Sequence, residues 1–150
     1  MTLGAVGTAT RAVLGVTLAL VVSSCAHHTG SGGTTTAPPS LSETAWHIEQ
    51  VGDSSVTDAS KTELRFGGDG KVSGSTGCNN FTGSATIEGA NVAFSPLAAT
   101  RKACDQALME QEGRIFGALQ SVKSFAFAVD GRLNLLGADG KSLVRLARAQ

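Results

Sequence analysis

The segment most informative about the fold of this chain is Gly77-Cys78-Asn79-Asn80-Phe81-Thr82-Gly83-Ser84. Glycines bracket it, and Asn79 and Asn80 tolerate left-handed backbone, as a tight connection requires. From Phe81 onward, apolar and polar positions alternate, which is the pattern of a half-buried β-strand. The stretch also contains Cys78, one of three cysteines in the chain, and the division of those cysteines bears on location and stability.

Period-two alternation continues on both sides of this stretch and predicts about eight short strands. Glycine-rich and Asp-Gly turns separate the strands, because tight hairpins need a positive φ that Gly adopts without steric cost. The apolar positions that share strand faces are Trp46, Ile48, Leu64, Phe66, Val72, Phe81, Gly83, Ala85, Ile87, Val92, Phe94, Phe125, Phe127, Val129, Leu133, Leu135, Val144 and Leu146.

Residues 105–122 break this alternation and predict a helix with Asp105 as its N-cap. Gly113 and Gly117 either weaken that helix or allow it to pack closely against the sheet. We therefore predict a mainly β, β-rich α+β domain: a strongly curved antiparallel sheet or small barrel with one helix. The apolar residues at helical spacing are Leu108, Ile115, Phe116, Leu119 and Val122.

The N-terminus has the pattern of an export signal at residues 1–24, with Arg11 ahead of an apolar run of eleven residues. The run is too short to span a bilayer, which takes about 20 residues. Cys25 follows directly and resembles the lipobox cysteine of bacterial lipoproteins, to which lipid is attached. Residues 26–40 are rich in Gly, Ser, Thr and Pro, so residues 25–40 are predicted to be a lipidated Cys and flexible linker, and residues 41–150 the domain.

These features predict a protein outside the cytoplasm, tethered to the cell membrane or envelope by a lipid on Cys25. Without residues 1–24, 11 basic residues face 12 acidic ones, and Arg101-Lys102 is the longest basic run. This balance lacks the clustered basic face of nucleic-acid binders. We expect the lipid bilayer and an envelope protein or small ligand as partners, and no nucleic acid.

In an oxidising compartment, the even pair Cys78 and Cys104 is best interpreted as a disulfide. Zinc would need four ligands, whereas these two cysteines and His47 are the only Cys and His residues of the domain. A thiol nucleophile or a Ser-His-Asp triad would also depend on His47, and no G-x-S-x-G frame supports a triad. We predict no catalytic residue, no metal site and no cofactor.

The chain resembles the META domain, also called the HslJ-like family, over residues 41–148. The resemblance implies a compact antiparallel domain with a helix, in which Cys78 and Cys104 correspond to the family's paired cysteines. It also implies an envelope or secreted protein without established enzymatic activity. Asn80, Ala85 and Ala99 depart from residues that are common in the family. The matching motifs are Leu41-x4-Trp46, Leu64-x-Phe66, Gly74-x2-Gly77-Cys78-Asn79-x-Phe81-x-Gly83-Ser84, Leu97-Ala98-x-Thr100-Arg101-x2-Cys104 and Glu112-x3-Phe116-x-Ala118-Leu119.

Two functional hypotheses follow. The first is a non-catalytic lipoprotein that acts in envelope maintenance or in stress or drug tolerance through protein contacts. The alternative is a small-ligand-binding or inhibitory module that uses the loops near the two domain cysteines. The candidate contact residues of those loops are Asn79, Asn80, Thr100, Arg101 and Lys102.

Overall fold

The computed structural model describes residues 40–150, which form ten β-strands, one α-helix and one short 3-10 helix. The helix α1 spans Gln106–Ser121, and the 3-10 helix spans Ala59–Lys61. The strands are β1 (Thr44–Val51), β2 (Ser54–Ser55), β3 (Thr62–Phe66), β4 (Lys71–Thr76), β5 (Asn80–Glu88), β6 (Asn91–Phe94), β7 (Ala98–Ala99), β8 (Ser124–Phe127), β9 (Leu133–Leu136) and β10 (Ser142–Arg148).

Eight of these strands close into an antiparallel barrel. They follow the order β1-β3-β4-β5-β6-β8-β9-β10, and β10 returns to pair with β1. At this closing seam, Trp46 lies opposite Arg148 and Val51 lies opposite Val144. The predicted fold class is therefore confirmed, and of the two predicted forms the chain adopts the closed barrel.

The two short strands lie outside the barrel order. β2 pairs with the end of β1, and β7 pairs with the beginning of β5, where Ala99 lies opposite Phe81 and Ala98 opposite Thr82. The second half of β5 pairs instead with β6. As a result, β5 has two successive neighbours along the same side, and β7 is the shorter one.

The helix α1 begins at its predicted cap, since the Asp105 side chain accepts a hydrogen bond from the Leu108 N–H at 3.0 Å. Its buried residues are Gln111, Ile115 and Leu119, spaced four apart on one face that packs against β1, β4, β6 and β10. The barrel opening beside this helix is called the helix end below.

The glycines of α1 do not mediate close packing. A Cβ built at Gly113 or Gly117 would meet no atom within 4 Å, and both residues are exposed. Of the two sequence-based interpretations, close approach to the sheet is wrong, because the helix turns a different face to the barrel.

The barrel interior is filled by the inward-facing side chains of the alternating strands and by side chains from α1. Phe81 and Phe116 meet edge to face with their ring centroids 5.7 Å apart, which joins the sheet to the helix. Burying such rings is the main favourable contribution to folding. The buried apolar residues are Leu41, Trp46, Ile48, Val51, Leu64, Phe66, Val72, Phe81, Ala85, Val92, Ile115, Leu119, Val122, Phe125, Leu133, Leu135, Val144 and Leu146.

The predicted Asp-Gly hairpin turns share one arrangement. In each, an Asp side chain accepts a hydrogen bond of 3.1 Å from the backbone N–H two residues later. The intervening Gly has a φ between 75° and 81°, in the left-handed region that favours glycine. The basic residue that follows forms an ion pair with the same Asp. These aspartates are Asp69, Asp130 and Asp139.

Strand directions assign the connections to two ends of the barrel. Residues 52–61, 77–79 and 95–105 lie at the helix end. The opposite opening, called the turn end below, carries the β3–β4, β5–β6 and β8–β9 turns, and the chain enters the barrel there from Ser40. The described part of the chain thus enters the barrel at the end away from Cys78 and Cys104.

One sequence-based assignment needs correction. Val129 lies beyond the end of β8 and is fully exposed, because the strand stops at Phe127 and the chain turns. The predicted signal segment, Cys25 and the linker up to residue 39 lie outside the described residues. Within residues 40–150, no helix combines the length and the apolar character that a membrane crossing requires.

Candidate functional site

A disulfide joins Cys78 to Cys104 and lies at the helix end. Cys78 stands in the connection from β4 to β5, and Cys104 stands just before the cap of α1, with their Cα atoms 6.1 Å apart. Both residues are half-buried. The bond therefore fixes the end of the connection between β6 and α1 to the barrel wall, as the sequence predicts.

Asn79 organises the residues beside the disulfide. Its side chain is almost completely buried, at 1% exposure. The side-chain oxygen accepts hydrogen bonds from Thr100 Oγ1 at 2.7 Å and from the Lys102 N–H at 2.8 Å. The side-chain nitrogen donates to the Lys102 carbonyl at 3.3 Å. Asn79 therefore holds residues 98–104, called the 98–104 loop below, from beneath.

The same asparagine also reaches α1. Its side-chain nitrogen donates to Glu112 Oε1 at 3.2 Å, while Thr76 Oγ1 donates to Glu112 Oε2 at 2.6 Å. Gln111, the neighbour of Glu112, donates to the Thr76 carbonyl at 2.8 Å and accepts from the Thr57 N–H at 2.7 Å. One connected network thus joins barrel, loop and helix, and such networks make a structure specific when every member is satisfied.

All buried side-chain nitrogen and oxygen atoms in the described range 40–150 have hydrogen-bond partners. The network therefore carries no unpaired polar group that would await a ligand. The network holds the residues around it in fixed positions.

The candidate contact residues come together in the structure but divide by exposure. Asn80, Thr100, Arg101 and Lys102 are exposed, whereas the side chain of Asn79 is committed to internal hydrogen bonds. The Thr100 N–H donates to the Asn80 carbonyl at 3.0 Å, and the Asn80 N–H donates to Thr100 Oγ1 at 3.2 Å. A partner at this surface would meet the four exposed residues and not the Asn79 side chain.

Sequence reasoning missed three residues of this region, Thr76, Met109 and Gln111, and it named Glu112 only as a motif residue without a structural role. Met109 is 43% exposed, and its Sδ lies 3.9 Å from Cys78 Sγ. A usable signal existed for Gln111, because it occupies the same helical stripe as Ile115 and Leu119 and is therefore a polar residue at a buried position. Thr76 has no comparable signal, and the motif that contains Glu112 does not indicate their pairing, which depends on tertiary placement.

The alternative chemistries considered for His47 and the cysteines find no support in this geometry. Both sulfur atoms are used in the disulfide, so neither is free to bind zinc or act as a nucleophile. His47 lies on β1 with Nδ1 3.2 Å from the Thr62 carbonyl. Within the part of the chain that the structure describes, no three metal-ligating side chains cluster.

Several depressions mark the surface of the barrel, and two of them adjoin the first half of β5. One of about 250 Å³ lies beside β7 and is lined by Asn80, Phe81, Thr82, Ala98, Ala99 and Thr100. A larger one of about 470 Å³ crosses β1, β3, β4 and β5, where small residues such as Ala45, Ser73 and Thr82 face outward and charged residues form the rim. The smaller depression adjoins the 98–104 loop.

Solved structures with the same fold include an NMR structure of a protein from Burkholderia xenovorans, 22% identical, with a TM-score of 0.60 over 73% of this chain and 84% of that chain. A second NMR structure is 26% identical, with a TM-score of 0.54 over 69% and 87%. A DUF4847 family protein from Bacteroides vulgatus is 15% identical, with a TM-score of 0.50 over 70% and 92%.

No curated protein matches the sequence. The family model described as META domain matches residues 39–150, which include the whole barrel, the disulfide and the helix. This match extends over well more than half of the chain, and it agrees with the resemblance carried by the motifs around Cys78 and Cys104. The chain belongs to the META domain family.

Proposed function

We propose that this protein is a non-catalytic lipoprotein, anchored through Cys25 in the cell membrane outside the cytoplasm. In this proposal it acts in envelope maintenance or in stress or drug tolerance, through protein contacts made by the 98–104 loop. The observation that carries the proposal is that residues 98–103 of this loop are exposed while the loop is tightly fixed by internal contacts. Family membership alone provides only the family-level part of this assignment.

The disulfide supports the proposed compartment. Disulfides form and persist outside the cytoplasm, whereas cytosolic thiols are kept reduced. The Cys78–Cys104 bond is therefore in keeping with the export signal and lipidated Cys25 that the N-terminal sequence predicts.

The surface of the 98–104 loop supports a protein partner. Residues 98–103 are exposed throughout, and the nearby Met109 adds an exposed large apolar side chain. Exposed apolar surface flanked by charged residues is typical of protein contact sites. This surface lies at the end of the barrel away from Ser40, where the described chain begins.

A small-ligand or inhibitory role at the same loops is the second candidate. Its binding site would be the depression of about 250 Å³ beside β7. Ligand pockets are usually concave cavities of about 300–1,000 Å³ that enclose most of the ligand. The open and smaller depression at this site therefore favours protein contact over ligand binding.

The anchorage is tested by fractionating cells that express the full chain. We expect the wild type in the membrane fraction with incorporated labelled palmitate, and Cys25→Ser in the soluble fraction or unprocessed. The Cys78→Ser/Cys104→Ser variant is the control and should remain in the membrane. The proposed anchor would be refuted if Cys25→Ser and the wild type associated equally with the membrane and neither incorporated labelled palmitate.

The contact surface is tested by site-specific photocrosslinking in the same cells. A photoreactive residue at exposed Arg101 should yield a discrete crosslinked species, and the same residue at exposed Glu88 on the β5–β6 hairpin should not. Equal crosslinking at both positions would contradict a partner at the 98–104 loop.

A further inference from the structure

β7 presents a free backbone edge. The Thr100 N–H donates to the Asn80 carbonyl, so Thr100 and Asn80 form a hydrogen-bonded pair. In an antiparallel ladder such pairs alternate, and the neighbouring pair Ala99–Phe81 is therefore of the non-hydrogen-bonded type. The N–H and C=O of Ala99 thus point away from β5. In the described residues neither group has a hydrogen-bond partner.

The edge is short, but it is rigidly held. Directly after Ala99, Thr100 and Lys102 are hydrogen-bonded to the buried Asn79 side chain, and Cys104 is covalently fixed to Cys78. A loop that is already ordered loses little conformational freedom when a partner binds. An exposed strand edge is a template for pairing with another chain, and natural proteins usually cover or blunt it.

The charges beside the edge select the partner. Arg101 and Lys102 are exposed, and within residues 40–150 neither forms an ion pair. The carboxylates nearby have other hydrogen bonds: Asp105 caps α1, and Glu112 accepts from Thr76 and Asn79. Two free cations beside a free backbone edge favour an acidic segment.

The apolar residues beside the edge determine how closely a partner strand can approach. Ala98 and Ala99 are exposed and small, so a second strand can approach their backbone closely. Met109 adds a flexible apolar side chain next to the disulfide, and methionine adapts to differently shaped partners.

We propose that β7 binds an extended acidic peptide segment of a partner protein as an added β-strand. The N–H and C=O of Ala99 hydrogen-bond to the backbone of the segment, and Arg101 and Lys102 pair with its carboxylates. Main-chain bonds supply affinity in this mode, while side-chain contacts supply specificity. This inference rests on the proposed function insofar as that function operates through protein contacts at the 98–104 loop.

The test uses the ¹⁵N-labelled full chain in mild detergent and a fluorescein-labelled hexapeptide of alternating Val and Glu. Fluorescence anisotropy measures binding, and NMR maps the amides that shift. We expect saturable binding, with the largest shift at the Ala99 amide and smaller shifts through Lys102. A hexapeptide of alternating Val and Lys, and an N-methylated Val-Glu peptide, should both bind at least about fivefold more weakly.

Two variants address the protein side. The Arg101→Ala/Lys102→Ala variant should weaken binding about five- to tenfold, as expected for two exposed charge pairs. Arg145→Ala is the matched control, because Arg145 is also exposed and outside any ion pair of the described residues, but lies on β10. It should bind within about twofold of the wild type, since long-range surface charges are screened.

Ala99→Pro removes the free donor while leaving the β5–β7 hydrogen bonds in place. It should weaken binding of the Val-Glu peptide at least about fivefold in the anisotropy measurement, with the melting temperature checking that the fold persists. If that variant fails to fold, the N-methylated peptide tests the reciprocal bond, in which the peptide N–H donates to the Ala99 C=O. Equal binding of the acidic and basic peptides, or shifts remote from β7, would overturn the proposal. Such a failure leaves the fractionation result for Cys25 unaffected, so the two proposals fail separately.

Discussion

The 98–104 loop and the β3–β4 turn at residues 67–70 are both exposed connections, yet different kinds of contact hold them. In the turn, Asp69 bonds to the N–H of Lys71, and Gly70 has a φ of 76°, so the geometry comes from immediate neighbours. The 98–104 loop is held by Asn79, more than twenty positions away, and by a disulfide that spans 26 positions. The turn closes a hairpin, whereas the loop is maintained in a particular shape on the surface.

This difference favours the 98–104 loop over the turns as the proposed contact surface. A turn of neighbouring residues can be exchanged for another turn at little cost. A long exposed loop tied by a buried amide and a covalent bond retains a defined shape, although its own residues bury little surface. A recognition surface needs an exposed loop that keeps one defined shape.

The largest effect is expected when the disulfide that holds the 98–104 loop is removed. We expect the Cys78→Ser/Cys104→Ser variant to lose about 3 to 4 kcal/mol of unfolding free energy, because the unfolded chain regains the freedom of a closed loop of this size. Urea denaturation checks this value. The reduced wild type should behave like the variant, and a loss below about 1 kcal/mol would show that the loop is held without its covalent link.

The next largest effect is expected for Asn79→Ala. This change leaves the hydroxyl of Thr100 and the backbone of Lys102 without their buried partner, and we expect a loss of about 2 to 3 kcal/mol. Hydrogen exchange at residues 100–104 should accelerate at the same time.

The neighbouring Asn80→Ala variant is the control. Asn80 is exposed and its hydrogen bonds to Thr100 use the backbone, so its unfolding free energy should change by less than about 0.5 kcal/mol. Equal losses in both variants would remove the distinction between the buried and the exposed asparagine.

Glycine substitutions in the hairpin turns should have smaller and more local effects on stability than the disulfide and Asn79 variants. Gly140→Ala should lower the unfolding free energy by about 1 to 2 kcal/mol, because Gly140 has a φ of 75°. Backbone strain alone is expected at this position, since a Cβ would meet no atom within 4 Å. Gly70→Ala should cost more, since its Cβ would also lie 3.2 Å from the Ala85 carbonyl oxygen. Thermal unfolding of the two variants separates backbone strain from contact, and a smaller loss for Gly70→Ala would contradict this reasoning.

The smallest expected effect is the acid sensitivity of the turns. Hydrogen bonds from the Lys71 side chain and N–H lower the pKa of Asp69, and bonds from the Arg132 N–H and side chain lower the pKa of Asp130. The Lys141 N–H likewise lowers the pKa of Asp139. A carboxyl with a lowered pKa stabilises the fold above its unfolded pKa of about 3.9 and loses that contribution as the pH falls through the folded value.

The unfolding free energy should therefore be unaffected by these groups between about pH 5 and 8, and should fall below about pH 4. An Asp69→Asn/Asp130→Asn/Asp139→Asn variant retains the hydrogen-bond acceptors but does not titrate. Its acid-side slope should be shallower than that of the wild type in pH-dependent urea titrations. Identical slopes would show that the turn aspartates do not contribute.

Much of the fold could be predicted because the signals are local. Alternation at Phe81, Ala85 and their neighbours on β5 identifies a strand, and Asp-Gly pairs identify hairpins, since both patterns reflect backbone geometry within a few residues. Asp105 marked the beginning of α1 for the same reason. Val129 was placed wrongly because an apolar residue in a turn continues the alternation without being buried.

The candidate site was only partly predictable. Cys78 and Cys104 could be paired from their number and compartment, and the motif around them indicated the family. The burial of Asn79 could not be foreseen, because asparagine is usually a surface residue and its partners Thr100 and Glu112 are distant in sequence. The free edge at Ala99 depends on which pairs of the ladder are hydrogen-bonded, which the sequence does not encode locally.

The eight barrel strands, their hairpin turns, the helix with its cap, the cysteine pair and the family could thus be read from the sequence, whereas the short strands β2 and β7 could not. These follow from patterns of neighbouring residues and from composition. Only the tertiary structure decided that β10 closes on β1, that α1 packs at one end, and that Asn79 lies beneath an exposed loop. The reason is physical: closure and burial depend on contacts between distant segments, whose energies are realised only when the whole barrel has assembled.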